Sequence, residues 1–145
     1  RFFAQQRLLP MAAQAEAAGH LRSAGRGLVE QLAERLPHLL PKQPLPSLLH
    51  GDLWCGNVLS FEGRLTGVID PAIYHGHCEV DLAFGTLFGT LGERFFAAYQ
   101  EVLPLESGFF GGRQRIYNIY PLLVHATLFG GGYGAKVEAG VRPLL

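Results

Sequence analysis

The sequence predicts an α+β fold that is mostly helical, with one small β-hairpin displaying its polar chemistry. Three observations predict it. Helical texture fills residues 1–36 and returns after Pro71. Between these stretches the chain breaks into short apolar runs separated by Gly, Asn and Asp. Two of those runs flank Glu62-Gly63-Arg64, a hairpin turn signal. Helices on either side of a small antiparallel unit make an α+β arrangement. The 145 residues suffice for one domain with a real core, and 48% apolar with 17% charged residues fits a soluble globular chain. Formal net charge is zero and the basic residues are scattered, which argues against a nucleic-acid or acidic-membrane surface.

The elements follow in order. Phe2, Phe3, Leu8, Leu9 and Met11 give a first helix an apolar face, and Pro10 is expected to kink it. A second helix places Leu28, Val29, Leu32 and Leu36 on one face, with Ser23 as its expected N-cap. Pro37 to Pro46 holds four prolines and reads as an extended connector. Ser47 to His50, Val58 to Phe61 and Leu65 to Ile69 read as strands. After Pro71 helices are expected over 79–90, 92–103, 112–129 and 134–144, broken at Pro104 to Gly108 and at Gly130 to Gly134. The uncharged stretch Tyr117 to Ala135 contains Asn118, Pro121, His125 and four glycines, so it reads as a buried helix entering a turn rather than a membrane span. No apolar leader opens the chain, and Cys55 and Cys78 form no disulfide framework; both features lead to an expectation of a cytoplasmic protein.

The chemistry concentrates in Leu48-Leu49-His50-Gly51-Asp52-Leu53-Trp54-Cys55-Gly56-Asn57 and in Gly67-Val68-Ile69-Asp70-Pro71. Asp52 and Asn57 stand at the D-x-x-x-x-N spacing with which protein kinases present a catalytic base and a metal-binding Asn. Asp70 closes the following apolar run, where a second metal-binding carboxylate belongs. Phosphoryl transfer to a hydroxyl needs a group that orients the hydroxyl and accepts its proton, and metal neutralisation of the phosphates. Asp52 suits the first task. The Asn57 amide oxygen and the Asp70 carboxylate suit Mg²⁺, which takes oxygen ligands and few carboxylates. Gly51 and Gly56 permit the tight backbone. The same residues also read as ordinary turn formers, since Asp and Asn beside Gly are common in turns.

Other constellations are weaker. His50, Cys55, His75, His77 and Cys78 fit no common zinc spacing. Gly130-Gly131-Gly132-Tyr133-Gly134 misses both phosphate-loop patterns and reads as a helix–helix turn, with lining of an acceptor pocket as the other reading. Phe84, Phe88, Phe95, Phe96, Tyr117 and Tyr120 fall at helical spacing and read as core; His125 reads as a satisfied core histidine.

Leu49 to Asn57 closely resembles the H-G-D-L-W-x-G-N signature of the fructosamine kinase (ketosamine 3-kinase) family. The resemblance continues through Asp70-Pro71-Ala72, Tyr74, Gly76-His77, Glu79 and Asp81-Leu82-Ala83. Further matches are Phe88-Gly89, the Tyr99 region, Leu128-Phe129-Gly130 and Gly132-Tyr133, so that residues 48–137 are covered. It implies an aminoglycoside-phosphotransferase-like, protein-kinase-like fold represented by its large lobe. The implied activity is ATP- and Mg²⁺-dependent phosphorylation of a sugar-amine adduct at its 3-hydroxyl, linked to protein deglycation, with a small molecule or a glycated protein as substrate. By position Asp52 is then the base and Asn57 and Asp70 the metal ligands. Asp81 braces the catalytic loop through backbone N–H groups, His50 belongs to the same signature as structural support, and Trp54 sits beside the sugar. His77 and Glu79 carry two readings: facing the substrate, or bonding within the loop after Asp70. Cys55 departs from the small residue usual there and places a thiol beside the site. Residues 1–46 are expected to be the helical segment and connector of that lobe and 47–145 its catalytic core. The glycine loop and strand Lys of the ATP-gripping small lobe do not appear before residue 47, so that lobe is expected to be absent from this chain. Two alternatives remain: a related kinase for an amino sugar or aminoalcohol, and a non-catalytic module that kept the fold.

Overall fold

The computed structural model describes residues 1–44 and 46–145; Leu45, inside the expected connector, lies outside them. The described chain divides into two compact units, residues 1–42 with 115–145, and residues 43–114. The C-terminal helices thus group with the N-terminal ones rather than with the hairpin.

The first unit is all helical. A π-helical turn over Phe3–Leu8 runs into α1, Leu9–Ala17, with Pro10 in its first turn. Pro10 has no N–H to donate and its ring crowds the carbonyl four residues back. The wider turn just ahead of it relieves that crowding, so the expected kink takes the form of a change of helix type. The second helix, α2, spans Ser23–Leu39. Ser23 is its first residue rather than its cap: Arg22 holds the cap position and makes no side-chain cap bond. Helix α2 also carries Pro37 in its last turn, where the sequence suggested that the connector begins. One missing donor near a helix end is tolerated, and the Leu40 N–H still reaches the Leu36 carbonyl. Helix α5, Gln114–Phe129, turns at Gly130 and Gly131, both with positive φ, into α6, Tyr133–Val141, and a short 3₁₀ turn, Arg142–Leu144. A side chain at Gly134 would overlap the His20 carbonyl oxygen, so a close approach requires glycine there. Leu8, Val29, Leu32, Ile119, Leu123 and Val137 form the core of this unit. Glu138 is buried beneath Arg22, which donates to both its oxygens and lowers its pKa.

The second unit holds the β-structure. Strands β2, Val58–Phe61, and β3, Arg64–Val68, form the expected hairpin. Glu62 and Gly63 both have positive φ, which makes the connection a two-residue turn of the primed kind that matches strand twist. A register shift at Leu59/Ser60 bulges the pair. The remaining sheet pairs β1, Pro46–Leu49, antiparallel with β4, Tyr74–His77. Strand β4 departs from the expectation of helix throughout after Pro71. Tyr-His-Gly-His carries no β pattern of its own and is held extended by its ladder with β1. Helix α3, Glu79–Leu87, and helix α4, Glu93–Val102, follow, and a second π-helical turn, Phe109–Arg113, leads into α5. Phe96 on α4 and Phe109 are buried with rings in contact; Phe84, Phe88 and Tyr120 are half-buried, and Phe95 is exposed beside Phe96. Among the described residues no helix is long and apolar enough to cross a membrane, and both cysteines are free.

Candidate active site

The loop leaving β1 is held by a carboxylate on α3. Asp81 accepts hydrogen bonds from the His50 N–H at 2.6 Å and the Gly51 N–H at 2.9 Å. Charge-assisted bonds of this kind are about twice as strong as neutral ones. Gly51 has φ +82, and a Cβ there would overlap the Ala72 carbonyl oxygen. The chain therefore turns at Gly51 against the segment that follows Asp70, and only glycine fits.

His50 then links the two parts of the site. Its Nδ1 accepts from the Asp52 N–H at 3.3 Å and its Nε2 lies 3.0 Å from the Ile69 carbonyl. An acceptor at Nδ1 and a donor at Nε2 define the neutral Nε2–H tautomer. Two backbone bonds add to this link, from Ile69 N–H to the Asn57 carbonyl at 3.0 Å and from Ala72 N–H to the His50 carbonyl at 2.8 Å. Asp70 lies between those anchors. Its φ is +51, a left-handed conformation uncommon outside glycine though least so for Asn and Asp. Strained backbone of this kind persists where the surroundings over-determine it. The Asp70 side chain is exposed and has no protein partner among the described residues.

Asn57 is buried at the end of the 3₁₀ turn Cys55–Asn57. Its Nδ2 donates to the Asp52 carbonyl at 2.9 Å and to Asp52 Oδ2 at 2.9 Å. The five-residue spacing thus closes on itself: the Asn57 amide nitrogen fixes one oxygen of the half-buried Asp52 carboxylate. Asp52 Oδ1 and Asn57 Oδ1 are left as acceptors. Two kinds of oxygen donor, an amide and a carboxylate with no other partner, form a donor set that suits a hard divalent cation.

Trp54 is 40% exposed, with its ring laid over Gly56 so closely that a side chain at Gly56 would strike it. Cys55 is exposed beside it. Glu79 lies elsewhere: it is buried, and both oxygens accept from Arg113, from Nε at 2.7 Å and Nη2 at 2.6 Å. Both Glu79 oxygens are therefore engaged within the protein, which is the second of its two readings. His77 stands 3.8 Å from Glu79. Burial lowers the His77 pKa, the Glu79 charge opposes that shift and the Arg113 charge adds to it. On α4, burial chiefly pushes the Tyr99 phenol up to about 12, and the Cys78 thiol adds to the shift. Arg113 is the residue that sequence reasoning missed. A single Arg after Phe-Phe-Gly-Gly carries no signal that it will be buried.

The class of protein follows from fold similarity. The chain aligns with a crystal structure from Thermobifida fusca YX-ER1, named as a candidate fructosamine-3-kinase, at TM-score 0.84 and 40% identity over 97% of this chain and 49% of that one. A second candidate fructosamine-3-kinase, from Haemophilus somnus 129PT, aligns at TM-score 0.81 and 29% identity over 99% of this chain and 48% of that one. The fold is therefore the α+β, kinase-like lobe.

The fructosamine kinase family model matches residues 1–145, and the chain belongs to that family. Among curated relatives, a probable ketoamine kinase of Enterococcus faecium is 44% identical over 68% of this chain and 35% of its own length. The chloroplastic protein-ribulosamine 3-kinase of Arabidopsis thaliana is 37% identical over 75% of this chain and 32% of its own length. The chain thus spans about a third of the length of these relatives. A probable ketoamine kinase from Klebsiella pneumoniae is 46% identical over 72% of this chain and 80% of its own length.

Proposed function

We propose that this chain carries the catalytic loop of an ATP- and Mg²⁺-dependent kinase that phosphorylates a fructosamine-type sugar-amine at its 3-hydroxyl, a step linked to protein deglycation. The observation that carries the reading is the bond from Asn57 Nδ2 to Asp52 Oδ2, made beside an Asp70 carboxylate that is held in a left-handed conformation and has no protein partner among the described residues.

Each residue then has a task. Asp52 presents Oδ1 to the substrate hydroxyl, orients it and accepts its proton; Asn57 keeps the carboxylate from turning away. Asn57 Oδ1 and the Asp70 carboxylate would hold Mg²⁺, which neutralises phosphate charge when bound. His50 and Asp81 fix the loop so that Asp52 and Asp70 keep their places, which is the positioning on which phosphoryl transfer chiefly depends. Trp54, partly exposed beside the base, offers a flat apolar face for a sugar ring. The substrate is a small sugar-amine or a glycated protein, and the two free cysteines suit a cytoplasmic setting.

The test is ADP release by the whole protein given Mg²⁺-ATP and a synthetic fructosamine, with Asp52→Asn as control. Fructosamine-dependent release that the substitution abolishes is the expected result. Release only with an amino sugar or aminoalcohol would move the acceptor. No release and no ATP binding would leave a non-catalytic module with the same fold.

A further inference from the structure

The first turn of α3 is fixed by an interaction that its own sequence does not contain. Helix α3 starts without a side-chain cap at Cys78. Two residues apart in that turn stand Glu79 and Asp81. Asp81 holds the His50 and Gly51 amides, and Glu79 is paired to Arg113 through two hydrogen bonds. Arg113 is itself buried, and directs Nη1 to the Ser107 carbonyl at 2.7 Å and Nη2 to the Glu106 carbonyl at 3.0 Å. The backbone is shaped around this guanidinium. Gly108, at φ +91, opens the π-helical turn, and a Cβ there would lie 3.1 Å from Arg113 Nη1. A planar fork that meets a carboxylate in two places fixes direction as well as distance, which a lysine ammonium does not.

We infer that Arg113 is a positioning residue for the catalytic loop: through its ion pair with Glu79 it sets where Asp81 stands, and so where the His50 and Gly51 amides and the neighbouring Asp52 are held. The effect on turnover rests on the kinase reading above; the effect on the loop does not.

Amide hydrogen exchange in the whole protein tests this with Arg113→Lys, and with Asp81→Asn as the reference for a released loop. The His50 and Gly51 N–H groups each donate to Asp81, so their exchange reports its placement. Arg113→Lys is expected to speed exchange at these two amides about tenfold while amides of α2 and α6 keep their rates. Turnover is expected to fall about tenfold, with KM for ATP unchanged. Unchanged exchange at His50 and Gly51 in a folded Arg113→Lys protein would overturn the inference. So would a uniform acceleration across residues 43–114, which marks lost stability alone. Should the lysine variant not fold, Glu79→Gln with Arg113→Gln removes both buried charges together and is read in the same way. Faster exchange at the two amides in a protein whose unmodified form transfers no phosphate would remove the kinase reading and leave the positioning role standing.

Discussion

Replacing Gly51 by alanine tests the geometry on which the site depends, and the hairpin supplies its control. Gly51 and Gly63 have similar positive φ, +82 and +73. A methyl at Gly63 meets nothing within 4 Å, whereas at Gly51 it would overlap the Ala72 carbonyl oxygen and lie 2.9 Å from its carbon. The conformational cost of alanine with positive φ is about 1 kcal/mol at either position. At Gly51 the clash is with backbone, which no rotamer change relieves. The bond from Ala72 N–H to the His50 carbonyl must then lengthen or break. Ala72 is exposed, so water can take over the freed N–H and the loss is that of one hydrogen bond, about 0.5–1.5 kcal/mol. Gly51→Ala should therefore cost roughly 1.5–2.5 kcal/mol and Gly63→Ala about 1 kcal/mol. Urea unfolding followed by the fluorescence of Trp54, the one tryptophan of the chain and a member of the same loop, measures both. Equal losses at the two positions would refute the close approach between the loop leaving β1 and the segment after Asp70.

Three further outcomes follow from the same geometry. Asp52→Asn should lower turnover by orders of magnitude and leave the unfolding midpoint nearly unchanged; near-normal ADP release would remove Asp52 as the base. Asp70→Gly should relieve the left-handed backbone and raise stability by up to about 1 kcal/mol while abolishing Mg²⁺-dependent turnover. Retained metal dependence would refute the ligand role, and lost stability would refute the strain. His77 has a folded-state pKa below its ordinary 6.5, with burial as the chief cause. The unfolded chain therefore binds its proton more readily than the folded one. The contribution of neutral His77 is full above the unfolded value and is lost as pH falls below about 6.5 toward the folded pKa. Unfolding midpoints measured across that window should fall less steeply in His77→Gln, and identical slopes would exclude His77 as the group responsible.

Part of the candidate site's geometry was legible because its contacts are local. Asp52 and Asn57 are close enough in sequence that one tight turn brings the amide onto the carboxylate. The hairpin was legible because apolar runs flank Glu62-Gly63. The limits are equally specific. Strand β4 was missed because Tyr-His-Gly-His becomes a strand only through its ladder with β1. The continuation of α2 through Pro37 was missed because a rule for helix interiors does not govern a last turn. Ser23 was misplaced by one position because a good capping residue type says nothing of which residue breaks from helical φ and ψ.

Local sequence was enough to mark what lies within reach of one turn: Asp52, the Asn57 amide beside it, Asp70 after the hairpin, and the family to which the chain belongs. Tertiary structure decided what holds them. Asp81 meets His50 across 31 positions and Arg113 meets Glu79 across 34. It also decided that residues 115–145 group with residues 1–42 rather than with the hairpin. The reason is physical: short-range spacing fixes geometry through the backbone alone, whereas a buried ion pair between distant residues forms only after the chain has removed both charges from water, and no local pattern records that they will meet.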